Sequence, residues 1–227
     1  MIKILDCSSL NYLSKLNIIL QKRRLGSKIN TNIVRKIVKD VKKNKQKALL
    51  KYEKKFSNNT KIKPTKNEIN NSIKSLDPKI KNAIDFAYSR ILKFHSLQKN
   101  KNIKYVDKQN NKIEYRYIPI QSVGIYVPSN LPSTLLMNAI LAKKIAGVKR
   151  VVLANPRLNG KLNSAVMYAA RKCGISEIIS AGGSQAIASL AYIQKVNKIV
   201  GPGNDYVARA KKEVFGDVGI EGMIAGP

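Results

Sequence analysis

Apolar residues recur at helical spacing in the first half of the chain. After a capping position at Thr31 or Asn32, the apolar residues that share one helix face are Ile33, Val34, Ile37, Val38 and Val41. A second apolar stretch between residues 48 and 56 continues or restarts this helix. The pattern predicts a helical first half and leaves open whether this helix is continuous.

Two further helices are marked by the residues at which they begin. Thr65 and Glu68 have the spacing of a capping box, in which a hydroxyl and a carboxylate bind each other's free backbone amides. Asp77-Pro78 is a typical helix start, because Asp caps the first amides and Pro fits the first turn. Both pairs therefore predict helices in the segments that follow them.

Beyond residue 98 the pattern changes from helical to alternating. Residues 99–111 are polar and aperiodic, which predicts a loop, whereas residues 113–120 alternate and predict an antiparallel strand or hairpin arm. Short apolar strands are then predicted at residues 123–127, 150–154, 177–180 and 198–200. Helices are predicted between and after them at residues 135–146, 164–173, 185–192 and 205–215. Strands that alternate with helices in this way predict a parallel sheet with helices on its faces.

The carboxyl ends of these strands form the expected ligand edge, because ligands of open parallel sheets bind there. The ends lie at residues 126–133, 154–156, 181–185 and 201–204. Gly182-Gly183, ahead of a helix, allows two interpretations: backbone amides that hold an anion such as a pyrophosphate, or a tight turn without a ligand. Gly201-Pro202-Gly203 leaves Asn204 at a strand end, either as a ligand contact or in a bare turn.

Three other side chains are candidates for chemistry. Tyr126 ends the first strand of the sheet, where it either stacks on a flat ring or is a half-buried strand tyrosine. His95, the only histidine, is expected to be a packed surface residue of its helix, and Cys173 a small core residue. The sequence offers no Ser/His/Asp set and no metal-ligand spacing. The residues by themselves therefore indicate a ligand-binding half without a catalytic centre.

Composition narrows the function classes further. The 227 residues are 44% hydrophobic, enough for a sizeable core, which excludes a disordered tail or a disulfide mini-protein. The net charge of +30 comes mainly from lysine, whereas nucleic-acid recognition usually brings more arginine, so no specific nucleic-acid partner is expected. Cys7 and Cys173 lie far apart, and no apolar run reaches the length of a membrane or secretory segment. A soluble, cytoplasmic protein is expected.

Several strings of the sequence resemble one enzyme family. In chain order they are IVRKIVKDVKKNKQKALLKYEKKF, VGIYVP, PSTLLMNAILAKKIAGV, GGSQAIASLAY, KIVGPGNDYVARAKKEVFG and the terminal MIAGP. Together they resemble histidinol dehydrogenase from about Val34 to the last residue. A single GPGN string is common, but the ordered series is specific to that family.

The resemblance implies an α/β fold in which an incomplete, Rossmann-like parallel sheet of the aldehyde-dehydrogenase type binds NAD over residues 119–227. A helical N-terminal region over residues 1–118 precedes it. The implied activity is the NAD-dependent oxidation of L-histidinol through the aldehyde to L-histidine, with a bound zinc, in a homodimer. The family's NAD contacts correspond to Tyr126, Gln185 and Asn204.

The sequence also departs from the family pattern. The family's zinc ligands, its Glu-His acid/base pair and its substrate-contacting serine follow the AGP motif at which this sequence stops. No catalytic or metal-binding residue is therefore assigned, and we expect an N-terminal part of a histidinol dehydrogenase that is inactive by itself. Two alternatives stay open: a non-catalytic nucleotide-binding module, and a basic nucleic-acid-binding protein.

Overall fold

A computed structural model describes residues 5–24 and 31–222 of the chain. Its α-helices are α1 (Tyr12–Arg24), α2 (Thr31–Ser57), α3 (Lys66–Lys74), α4 (Pro78–Ser96), α5 (Pro132–Ile140), α6 (Ser164–Lys172), α7 (Gly183–Tyr192) and α8 (Asp205–Val214). Its strands are β1 (Ile103–Val106), β2 (Lys112–Tyr115), β3 (Ser122–Tyr126), β4 (Arg150–Ala154), β5 (Glu177–Ile179), β6 (Lys198–Val200) and β7 (Gly219–Ile220). The terminal MIAGP string lies outside the described residues.

Five strands form a parallel sheet in the order β5-β4-β3-β6-β7. In the central strand, Tyr126 pairs with Ala154 of β4, and Ile125 pairs with Val200 of β6. The strands therefore end together at one edge, as the alternating pattern predicted. The α/β fold with a parallel sheet and flanking helices is confirmed.

Two hydrophobic cores cover the two faces of this sheet. One core joins the sheet to α2, α7 and α8, and the other joins it to α4, α5 and α6. All five residues of β3 are buried, which explains why its sequence is apolar without alternation. Because α2 contributes to the first core, the helical N-terminal part and the sheet pack as neighbours. The division at residues 118 and 119 stays a prediction.

The helix starts follow the sequence signals. The Thr65 hydroxyl accepts from the Glu68 amide at 3.1 Å, and the Glu68 carboxylate accepts from the Thr65 amide at 2.9 Å. The Asp77 carboxylate accepts from the Lys79 amide at 2.7 Å. The long helix α2 is interrupted at Lys45, whose φ of 48° and ψ of −126° are not helical. Of the two possibilities left open, the helix restarts.

The prediction of a loop over residues 99–111 was wrong in part. Strand β1 lies within it and pairs antiparallel with β2, and all eight residues of the two strands are exposed. The carboxylate of Asp107 accepts from the Gln109 and Asn111 amides at 2.8 Å each and so closes the turn. The strand was missed because it is short and is stabilised by pairing with β2, which the polar local sequence does not indicate.

Candidate functional site

The ends of β3 and β6 touch at the carboxyl edge of the sheet. Gly201, directly after β6, has a φ of +112°, and a Cβ atom there would lie 2.0 Å from the Tyr126 carbonyl oxygen. Only glycine fits this position, because a side chain would need both an unfavourable φ and the space of a backbone atom. The Gly201-Pro202-Gly203-Asn204 loop is therefore held directly against the end of β3.

A buried lysine also binds this loop. Lys211 of α8 is 5% exposed, and its ammonium group donates to the Gly201 carbonyl oxygen. It also pairs with the Glu221 carboxylate at 2.6 Å. Sequence reasoning missed this residue, because a lysine in a lysine-rich amphipathic helix carries no mark of burial.

Tyr126 is buried rather than half-buried. It is 4% exposed, and its hydroxyl accepts from the Gly183 amide at 3.2 Å. Burial raises the pKa of the Tyr126 phenol, and the nearby Glu53 charge raises it further, while the Gly183 hydrogen bond opposes them. Tyr126 is thus a strand tyrosine, as one of the two interpretations from the sequence had it, but it is more deeply buried than expected because the ring belongs to the first core of the sheet. A contact with a ligand stays a prediction.

The Gly182-Gly183 turn is already occupied by the protein's own groups. Gly182, the residue before α7, donates its amide to the Glu53 carboxylate at 2.9 Å. The Gly183 amide is the donor to Tyr126. With both amides bound internally, the structure favours the tight turn over the anion cradle. The helix also begins at Gly183 and not at Gln185, because the turn residues already have a helical hydrogen-bonding pattern.

Gln185 lies beside this turn and is 3% exposed. Its side-chain amide donates to the same Glu53 oxygen at 2.8 Å. Glu53 comes from α2, more than a hundred positions earlier in the chain, and is fully buried. Burial raises the pKa of Glu53, although hydrogen bonds from Gly182, Gln185 and Asn59 act in the opposite direction. No local pattern marked this residue, since a glutamate followed by two lysines is typical of a solvated helix face.

Asn204 is the exposed member of the predicted set. It caps α8, its side-chain oxygen accepting from the Val207 amide at 3.2 Å. The start of α8 is tied to the start of α7, because the Ser184 hydroxyl donates to the Tyr206 carbonyl at 3.1 Å. Within the described part of the chain, the Asn204 side-chain NH₂ group has no hydrogen-bond partner.

The structure thus brings the three predicted residues to one edge in two different roles. Tyr126 binds the Gly183 amide, and Gln185 binds Glu53, which also binds the neighbouring Gly182 amide. Tyr126 and Gln185 are therefore linked through this turn and form a buried floor under the edge. Asn204 offers an exposed donor beside that floor. Two clefts of about 700 and 770 Å³ are lined by other residues, on other parts of the surface.

The other candidate side chains have structural roles. His95 is 8% exposed and shares a 2.6 Å hydrogen bond with Gln98, so it is packed, as expected, but buried and not at the surface. Cys173 is a core residue, as predicted, and burial raises its pKa to about 11. Among residues 5–24 and 31–222, no group of three or more His, Cys, Asp or Glu is placed to hold a metal ion. No helix in these residues is long and apolar enough to span a membrane.

Comparisons with known proteins point in one direction. A family model described as histidinol dehydrogenase matches residues 20–227. The chain is 59% identical over 234 residues to a histidinol dehydrogenase from Pelagibacter ubique, covering 100% of this chain and 54% of the relative. It is 42% identical over 217 residues to the histidinol dehydrogenase of Rhizobium meliloti, covering 91% and 49%.

A solved structure agrees with these sequence matches. The crystal structure of histidinol dehydrogenase from Elizabethkingia anophelis superimposes with a TM-score of 0.82 at 37% identity. The match covers 88% of this chain and 48% of that structure. The chain therefore spans about half the length of the curated relatives that it matches.

Proposed function

Because this chain belongs to the histidinol dehydrogenase family, we propose that its sheet domain binds NAD for the oxidation of L-histidinol to L-histidine. The family is one of oxidoreductases with a small-molecule substrate. The NAD dependence, the substrate and the homodimer implied by the resemblance are parts of this proposal. So is the expectation that residues 1–227 by themselves do not perform the oxidation.

One observation carries the proposal. The ends of β3 and β6 and the start of α7 meet at one edge, with Asn204 exposed beside the buried pair Tyr126 and Gln185. This edge is where ligands of open parallel sheets bind. The Asn204 side-chain NH₂ group has no partner among residues 5–24 and 31–222, and such a donor can bind a ribose hydroxyl or an amide carbonyl.

The bound cofactor would supply the hydride acceptor. The part assigned to this chain is to orient that cofactor at the strand ends. Asn204 donates from the start of α8, and the Gly201 loop is held in place by the Lys211 ammonium group and the Tyr126 backbone. With Gly182 and Gly183 bound internally, the donors for a pyrophosphate must come from other residues.

A zinc site is not included in this proposal. The described residues provide no cluster of His, Cys, Asp or Glu that fits a metal ion, so we assign no zinc ligand and derive no step through zinc. The prediction that Tyr126, Gln185 and Asn204 contact the cofactor does not depend on the metal.

A titration with NAD tests the proposal. Asn204→Ala removes the exposed donor together with the α8 cap, and Asn163→Ala is the matched control. Asn163 caps α6 by accepting from the Val166 amide at 2.9 Å, and α6 packs on the opposite face of the sheet. Each variant loses about 1 kcal/mol of stability with its cap.

Only Asn204→Ala is expected to weaken NAD binding, by about five- to tenfold for one lost hydrogen bond. Equal weakening in both variants, or no binding by the unmodified chain at millimolar NAD, contradicts the proposed site. NADH formation from histidinol by the purified chain with zinc contradicts the expected inactivity. Clear NAD binding without turnover is also the result that the alternative, a non-catalytic nucleotide-binding module, requires.

A further inference from the structure

A buried carboxylate without a cation lies behind the candidate site. Glu53 is fully buried, and none of the ion pairs among the described residues includes it. Its donors are the Gly182 amide at 2.9 Å, the Gln185 side chain at 2.8 Å and the Asn59 side chain at 3.5 Å. Burial raises the pKa of Glu53 and so opposes its charge. All three partners are donors, however, and no hydrogen bond among the described residues has the Glu53 carboxyl as its donor, so the surroundings fit the ionised form.

The charge has a specific consequence for Gln185. An ionised carboxylate only accepts hydrogen bonds, so the Gln185 NH₂ group must point toward Glu53. The carbonyl oxygen of Gln185 is then left as the acceptor for any other partner. A neutral amide at position 53 could donate as well as accept, and Gln185 could then turn over. Glu53 thus selects one of two orientations that Gln185 would otherwise share.

The segment that carries Glu53 is itself fixed to the end of β5. The Asn59 side chain donates to the Ser180 carbonyl at 2.7 Å, and the Ser180 amide donates to the Ile62 carbonyl at 2.6 Å. Glu53 also lies at the positive end of the α7 dipole, which favours a negative charge there. The carboxylate therefore has a defined place relative to the strand end and to the helix.

We propose that Glu53 is a positioning residue that orients the Gln185 side chain, and with it the start of α7, for the cofactor. This inference rests on the proposed function, in which Gln185 contacts NAD. Glu53 acts through Gln185 and Gly182 and does not itself touch the ligand.

The substitution Glu53→Gln tests the role of the charge at nearly constant shape. NAD affinity is expected to fall by at least about twofold, because Gln185 then spends about half of its time in the orientation that Glu53 excludes. The folded state should be no less stable at pH 8, since a buried charge has been replaced by a neutral isostere. Glu177→Gln is the control: Glu177 lies at the opposite end of β5 and pairs with Arg150 at 2.7 Å near the surface.

Measuring both NAD affinity and folding stability of Glu53→Gln separates a positioning role from a merely structural one. A structural role would lower the stability and the affinity together. Unchanged or tighter NAD binding by Glu53→Gln, with Glu177→Gln also unchanged, overturns the inference. So does an equal loss of affinity in both variants.

A second measurement does not depend on NAD. In NMR spectra, the Gly182 amide and the Gln185 side-chain NH₂ signals of the unmodified chain should shift together as Glu53 titrates, above the ordinary range of a glutamate. Tyr126 is the other titratable group of this network among the described residues, and it ionises well above that range because burial raises its pKa. Signals that do not move together overturn the inference even when NAD binds. If NAD does not bind while they do move, the proposed function fails and the positioning of Gln185 stands.

Discussion

Replacing Gly201 with alanine should destabilise the fold more than replacing Gly216, although both glycines have a positive φ of similar size. Their φ values are +112° and +98°, both in the region that side chains disfavour. An added Cβ at Gly216 meets nothing within 4 Å, whereas at Gly201 it would lie 2.0 Å from the Tyr126 carbonyl oxygen. The pair therefore separates backbone strain from the close approach of the two strand ends.

The expected magnitudes follow from these two contributions. Strain at a positive φ costs about 1–3 kcal/mol, and both variants bear it. Forcing an extra carbon into occupied space adds about 1–3 kcal/mol, and only Gly201→Ala bears that. The gain from a less flexible unfolded chain is the same in both and cancels in the comparison.

Urea unfolding followed by circular dichroism measures the difference. Gly216→Ala should lose about 1–3 kcal/mol, and Gly201→Ala about 2–6 kcal/mol, at a similar slope with denaturant. Losses that agree within about 0.5 kcal/mol would refute the close contact between Gly201 and Tyr126. The claim that the loop after β6 is held against the end of β3 would then fall as well.

Two further predictions concern titratable side chains. In the native protein, Cys173 should resist alkylation at pH 8 while the exposed Cys7 reacts, because burial raises the Cys173 pKa to about 11. Counting the reactive thiols with and without urea checks this prediction. Two reactive thiols in the native state would contradict it. Hydrogen bonds from Asn44, Tyr52 and Lys51 lower the Asp40 pKa to about 2. Asp40 therefore stabilises the folded state at pH values above its ordinary pKa. This contribution is lost as the pH falls from about 4 to about 2. Acid unfolding of Asp40→Asn should be flatter over that window, and curves of the same steepness would exclude the effect.

Local patterns in the sequence predicted most of the fold. Capping residues at Thr65 and Asp77 marked helix starts, and alternating apolar and amphipathic segments predicted the parallel sheet and its ligand edge. These features depend on neighbours within a few positions, so a single sequence contains them. The short strand β1 was missed because its stability comes from pairing with β2.

The sequence by itself also determined the candidate residues at the ligand edge, since strand ends and glycine turns are local. Only the tertiary structure decided which of their polar groups are free. Glu53 and Lys211 look like members of solvated helix faces, yet packing buries both. Glu53 then binds the Gly182 amide and the Gln185 side chain. The physical reason is that burial and hydrogen-bond partners are set by contacts between distant parts of the chain, which no local pattern records.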